Sequence, residues 1–87
     1  MAPETPAVTV PPVNAVLSEL LASLAFAAHA YLEPQDGSEP DLEGAGIAID
    51  VAAFGFDRIQ PRLNPQERSA FTGMLTDLRM TYVKKRG

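Results

Sequence analysis

Apolar residues along this chain recur with the spacing of amphipathic helices, in three segments separated by short polar breaks. The first segment, 13–32, contains no glycine or proline and consists mainly of strong helix formers. The loop EPQDGSEPD separates it from the second segment, 42–60, and Pro61 separates that from the third, 65–86. We therefore predict one all-α domain at 13–87, a three-helix hairpin or bundle that oligomerisation or a partner completes.

Local sequence rules place the ends of the predicted helices. Asp41 is suited to cap the second helix. Asn64-Pro65-Gln66-Glu67 has the residues of a capping box, with proline at the first helical position. Residues 1–12 contain four of the eight prolines and little apolar bulk, so we predict a disordered tail there.

The first predicted helix is apolar around most of its circumference. One of its sides carries five large apolar residues: Val13, Leu17, Leu20, Leu24 and Tyr31. The opposite side carries small residues and His29. Such a helix is expected to be buried over most of its surface. Its length also suits a membrane span, but Glu19 lies inside it and no Lys or Arg flanks it, so we expect burial in protein instead.

The second predicted helix has two apolar sides. Ile47, Val51 and Phe54 lie on one side, and Asp50 and Asp57 form a narrow polar strip between the two. The other side carries Leu42, Ile49, Ala52, Phe56 and Ile59. A lone chain offers only two other helices to cover both sides, so we predict that part of this surface meets another chain.

The third predicted helix has a core stripe and two large apolar residues, Met80 and Val83, that lie off it. The stripe consists of Phe71, Met74, Leu75, Leu78 and Tyr82. Adding the first side of the second helix gives five interface candidates: Ile47, Val51, Phe54, Met80 and Val83. We also predict that Arg79 pairs with Asp50 or Asp57, within one chain or across a dimer, and fixes the helix register.

Composition favours association. A chain of 87 residues buries only about 60% of its unfolded surface, yet 46% of these residues are hydrophobic and no cysteine is present to add a disulfide. The net charge is −4, which disfavours nucleic-acid binding. Four of the seven basic residues lie in the last nine positions: Arg79, Lys84, Lys85 and Arg86. They are suited to the negative end of a helix dipole.

No catalytic, cofactor or metal pattern stands out. One histidine and no cysteine leave little nucleophilic chemistry, and the glycines lack the spacing of a phosphate loop. His29 and Glu33 are four residues apart and supply at most two metal ligands. We therefore expect no enzyme activity, no cofactor and no metal, with a site built around His29 at an oligomer interface as a remote alternative.

The ending Leu75–Val83, LTDLRMTYV, resembles the "LLxDLRMxYV" ending of a small bacterial family catalogued as domain of unknown function 1844. The resemblance extends without gaps through 42–83, where Ile49-Asp50 is similar to the family's "ID" step and Leu63–Glu67 to its "LTPEE" helix start. The glycines of the second helix and Met74, in place of a leucine, depart from the family pattern. The resemblance implies an all-helical fold and no established activity.

Together these patterns predict a non-catalytic interaction or accessory subunit that associates with itself or docks onto a larger protein. The alternative is a nucleic-acid-associated regulator that uses the basic C-terminal tail. The opening MAPETPAVTVPP has neither a basic n-region nor a leucine-rich core, so we expect a cytoplasmic protein that binds no membrane.

Overall fold

A computed structural model describes residues 10–87, most of which lie in three α-helices. The helices are α1 (Val13–Leu32), α2 (Leu42–Ile59) and α3 (Pro65–Arg86), and a 3-10 turn at Gln60–Arg62 joins the last two. No strand occurs within the described part of the chain. The all-α class and the three helices are therefore confirmed, while residues 1–9 of the predicted tail lie outside the described residues.

Side-chain caps begin α2 and α3 at the predicted residues. The Asn64 carboxamide accepts a hydrogen bond from the Glu67 backbone N–H at 2.7 Å, and the Glu67 carboxylate accepts one from the Asn64 N–H at 3.0 Å. The Asp41 carboxylate accepts from the Gly44 N–H at 2.9 Å. These bonds pair N–H groups that have no partner inside the helix, so the predicted capping box is confirmed.

Replacing the cap of α3 is expected to weaken the fold measurably. Asn64→Ala removes the acceptor for the Glu67 N–H and should lower the free energy of unfolding by about 1 kcal/mol. Urea unfolding followed by circular dichroism measures the change. Gln66→Ala, an exposed substitution in the same turn, is the control; an equal loss in both variants would contradict the assignment.

The loop between α1 and α2 is an acidic turn stabilised by its own side chains. Gly37 has φ +82°, a value that favours glycine, as the predicted Asp36-Gly37 turn requires. The Ser38 hydroxyl and backbone N–H donate to the Asp36 carboxylate at 2.6 and 3.0 Å and lower its pKa below the ordinary 3.8. The resulting stabilisation is present near neutral pH and is lost as pH falls through the lowered pKa.

The contact between α1 and α2 is the most extensive in the fold, and small residues allow the two helices to approach closely. A Cβ atom at Gly55 would lie 3.0 Å from Leu21 Cδ2, so the absence of a side chain at Gly55 sets the spacing there. The core of the hairpin lies in two clusters that also receive Leu75 and Leu78 of α3. The buried residues of α1 and α2 are Leu21, Ala25, Ala28, Leu32, Ala45, Ala48, Ile49, Ala52, Phe56 and Ile59.

The third helix packs along one side of this hairpin through its predicted stripe. Leu75 and Leu78 are buried, and Phe71, Met74 and Tyr82 are half-buried against the core clusters. The rings of Phe56 and Phe71 lie 5.7 Å apart. The other side of the hairpin receives no helix from the described residues.

Candidate interaction surface

Within one chain, α1 is buried along one strip only, so burial over most of its circumference stays a prediction that needs another chain. Its buried residues form a single strip running from Leu21 to Leu32. Leu20, Val13 and Tyr31, on the side richest in large apolar residues, are exposed. The physical reason is that α2 and α3 both contact the alanine-rich strip, where backbones can approach, and leave the leucine side open.

The second helix also leaves one of its two apolar sides open. Ile47, Val51 and Phe54 are all exposed, whereas Ile49 and Phe56 on the other side are buried. This is the side that the sequence pattern predicts to meet another chain. This exposure is that of the single chain and does not identify a partner.

The open sides of α1 and α2 face the same direction and form one apolar groove of about 460 Å³. The groove is lined by the exposed Val13, Leu20, Val51 and Phe54 and by the half-buried Leu17 and Leu24. Together with the exposed Ile47, one helical turn before Val51, these residues form what we call the hairpin surface. Contiguous exposed apolar patches of this kind are rare on lone soluble proteins and mark sites of association.

The two ends of the hairpin surface carry opposite charge. Arg58 and Arg62 line the groove at the end where α1 begins and α2 finishes. The other end, where α1 finishes and α2 begins, carries five exposed carboxylates: Glu33, Asp36, Glu39, Asp41 and Glu43. Lys85 of α3 lies 3.8 Å from Glu33 at this end, whereas the other four carboxylates form no ion pair among the described residues. The surface therefore has a basic end, an apolar middle and an end at which carboxylates outnumber cations.

The remaining interface candidates, Met80 and Val83, lie on a different surface. Both are exposed and line a shallow groove with Arg79 and Lys84, on the side of α3 that faces away from its packed stripe. The five candidates thus divide between two surfaces, and the structure does not bring them together. Met80 and Val83 stay predictions for a contact separate from the hairpin surface.

The predicted charge pair does not form within one chain. Arg79 is exposed, and although it lines a groove between α2 and α3 together with Asp57, the described residues contain no ion pair between Arg79 and Asp57 or Asp50 within 4.0 Å. Its position beside solvent leaves the guanidinium hydrated and without a fixed carboxylate partner. Pairing across two chains stays a prediction.

We expect Arg79→Ala to have little effect on the fold of the chain. An exposed arginine without an ion-pair partner contributes less than about 1 kcal/mol to stability. The melting temperature and the association constant should both be compared with those of wild type. A fall in association with an unchanged fold would show that Arg79 pairs across chains.

One large exposed residue of α1, Phe26, was not identified as a surface residue from the sequence. It is 80% exposed and lines a shallow groove between α1 and α3 with His29, Met74 and Asp77. From the sequence, this side of α1 was predicted to carry small residues and His29. Phe26 is three residues before His29, and this spacing predicts that both lie on the same side of α1.

The side chain of His29 lies on the surface beside one carboxylate, that of Glu33. His29 Nε2 lies 3.5 Å from Glu33 Oε1, one helical turn away, and both side chains are exposed. Across residues 10–87, no group of three or more His, Asp or Glu side chains is arranged to hold a metal ion. Asp77 lines the same groove as His29 without forming an ion pair with it.

Two of the basic side chains near the C-terminus contact other residues of the same chain. Lys85 Nζ lies 3.8 Å from Glu33 Oε2, and the Arg86 guanidinium lies 5.9 Å from the centre of the Tyr82 ring. Lys84, Lys85 and Arg86 also lie in the last turn of α3, where they complement the helix dipole, whereas Arg79 lies about two turns earlier. Binding of nucleic acid by this tail stays the alternative prediction.

By length and composition, α1 is also apolar enough to cross a membrane. Its most apolar stretch has a mean hydropathy of 1.5, and 22% of that stretch is buried. Core helices of soluble proteins and signal sequences have the same length and composition. Experiments on the hairpin surface must therefore distinguish binding of lipid from binding of protein.

Comparison of the chain with protein-family models, curated proteins and solved structures found no match, so the resemblance to domain of unknown function 1844 stays a prediction.

Proposed function

We propose that this chain is a non-catalytic interaction subunit, and that it associates with itself or docks onto a larger protein through the hairpin surface. The observation that carries the proposal is the uncovered apolar side of α2, where Ile47, Val51 and Phe54 continue the open side of α1. Leaving such a surface in water is unfavourable by roughly 25 cal/mol per Å² of apolar area, and a partner that covers it removes this cost.

The proposal extends to the setting of the protein. We propose a bacterial, cytoplasmic protein related to domain of unknown function 1844, on the strength of the ending Leu75–Val83 and the helix start at Leu63–Glu67. The nucleic-acid alternative has less support, because Lys85 and Arg86 already make contacts within the chain.

Light scattering of the pure protein and affinity capture from the native cell together test this function. We expect either a mass above that of the monomer or a partner that wild type retains and Phe54→Glu loses. Ala70→Glu, at an exposed position of α3 outside both candidate surfaces, is the control and should behave as wild type. A monomer whose captured proteins are the same with all three baits would overturn the proposal.

A further inference from the structure

We infer that the occupant of the hairpin surface is a second copy of this chain, related by a two-fold axis that runs across the helices, so that α2 faces α2 of the second copy in the antiparallel direction. This inference rests on the proposed function and identifies its partner. Two observations carry it: the opposite charges at the two ends of the surface and the internal symmetry of α2.

The open side of α2 is symmetric about its own centre. Glu43, Ile47, Phe54 and Arg58 follow one another at steps of four, seven and four residues, which places all of them on one helix face. The outer two and the inner two lie at equal distances from the point between Asp50 and Val51. A helix with this pattern is complementary to an antiparallel copy of itself.

An axis through that midpoint produces matched contacts. Glu43 of one copy comes level with Arg58 of the other, and Ile47 comes level with Phe54. Val51 comes level with Asp50 of the second copy, and the two Val51 side chains are neighbours across the axis, offset by about 1.5 Å along the helix. Within one chain Glu43 and Arg58 are about 22 Å apart along the helix, at 1.5 Å per residue, so they pair only between copies.

The first helix fits the same axis. Leu21 lies beside Gly55, which fixes the register of α1 against α2 and puts the axis level with Ala25. Antiparallel pairing about that level brings Leu20 of one copy to Tyr31 of the other. Both residues are exposed in the single chain and lie on the open side of α1.

Charge selects this dimer over the other symmetric packing of two hairpins. A two-fold axis parallel to the helices would place α1 over α2 and bring like ends together, with Arg58 and Arg62 of both copies at one end and the carboxylates of both at the other. Juxtaposed like charges disfavour that packing. The axis across the helices instead brings each basic end to an acidic end.

Charge exchange at the two ends tests the orientation. In the antiparallel dimer, Glu43→Arg or Arg58→Glu alone places like charges opposite each other twice, and each should raise the dissociation constant by about tenfold in sedimentation equilibrium. The double variant Glu43→Arg, Arg58→Glu should restore it. Asp77→Arg, on α3, is the control and should leave association unchanged. In the alternative packing each single exchange would lower the net charge of two like ends that meet, so association would stay the same or become tighter.

Cross-linking tests the position of the axis. Because the chain has no cysteine, Val51→Cys introduces a single thiol beside its symmetry mate. A disulfide needs Cα atoms about 4.4–6.8 Å apart, so oxidation should convert the variant to a covalent dimer. Met80→Cys, on the outer face of α3, should remain uncross-linked under the same conditions.

The outcomes separate this inference from the proposed function. One combination of results is that Phe54→Glu abolishes association while both single charge exchanges leave it unchanged and Val51→Cys gives no cross-link. That combination would overturn the antiparallel dimer but would still support the proposed interaction subunit. A pure protein that stays monomeric overturns the dimer, and the capture experiment then decides the function. Co-sedimentation of wild type, but not Phe54→Glu, with phosphatidylcholine vesicles would instead assign the surface to lipid.

Discussion

Val51→Glu is expected to convert the associated protein into a monomer while its helix content stays unchanged. In the proposed dimer the two Val51 side chains meet beside the axis, so the substitution places two carboxylates together in an apolar contact. Like charges in such a position cost several kcal/mol, which corresponds to a loss in affinity on the order of 100-fold or more. Sedimentation equilibrium measures the association, and circular dichroism measures the helix content.

The matched control for this substitution is Val83→Glu. Val51 is 50% exposed and Val83 is 53% exposed, so the two changes are alike in chemistry and in cost to the single chain. Only Val51 belongs to the hairpin surface. Dissociation by Val83→Glu with retention by Val51→Glu would move the interface to the outer face of α3.

Leu21→Ala is expected to cost the single chain about 2–5 kcal/mol of unfolding free energy. Leu21 is 1% exposed and packs against α2 beside Gly55, in the cluster that also contains Phe56 and Leu75. Truncating a buried leucine loses transfer free energy and leaves a cavity. Folding stability of about 0.05–0.15 kcal/mol per residue leaves a chain of this size little reserve, so the variant should be largely unfolded near physiological temperature.

The neighbouring residue supplies the control for Leu21. Leu20 is 50% exposed and belongs to the hairpin surface, so Leu20→Ala should cost the single chain well under 1 kcal/mol. Both substitutions are best made in the Val51→Glu chain, because dissociation of a dimer would otherwise add to the apparent loss. Equal urea midpoints for the two variants would contradict the assignment of the buried strip.

Helix boundaries were the most predictable part of this fold. Asn64, Glu67 and Asp41 act through hydrogen bonds to residues three positions away, so short sequence rules contain all the information needed. The break at Pro61 is local in the same way. The second helix was predicted to end at Gln60, whereas α2 ends at Ile59 and Gln60 begins a 3-10 turn.

Which side of α1 is buried could not be predicted from its periodicity. The alanine strip at Ala25 and Ala28 and the leucine side through Leu20 are both apolar, and the strip is buried because small residues let α2 approach. That choice depends on the facing helix and on Gly55. For the same reason the exposure of Phe26 was not predicted, because its side of α1 was expected to carry small residues.

The candidate surface was predictable where an element had more apolar area than its neighbours could cover. Two apolar sides on α2 implied that one would remain open, and Ile47, Val51 and Phe54 are indeed exposed. Whether Met80 and Val83 would join them depended on how α3 is rotated against the hairpin. Local spacing along α3 does not contain that information.

The mass of the pure wild-type protein in solution tests the central claim most directly. Sedimentation equilibrium over a range of concentrations should give a species of twice the 9.3 kDa chain mass that dissociates on dilution. A mass of 9.3 kDa at the highest soluble concentration would contradict self-association through the hairpin surface.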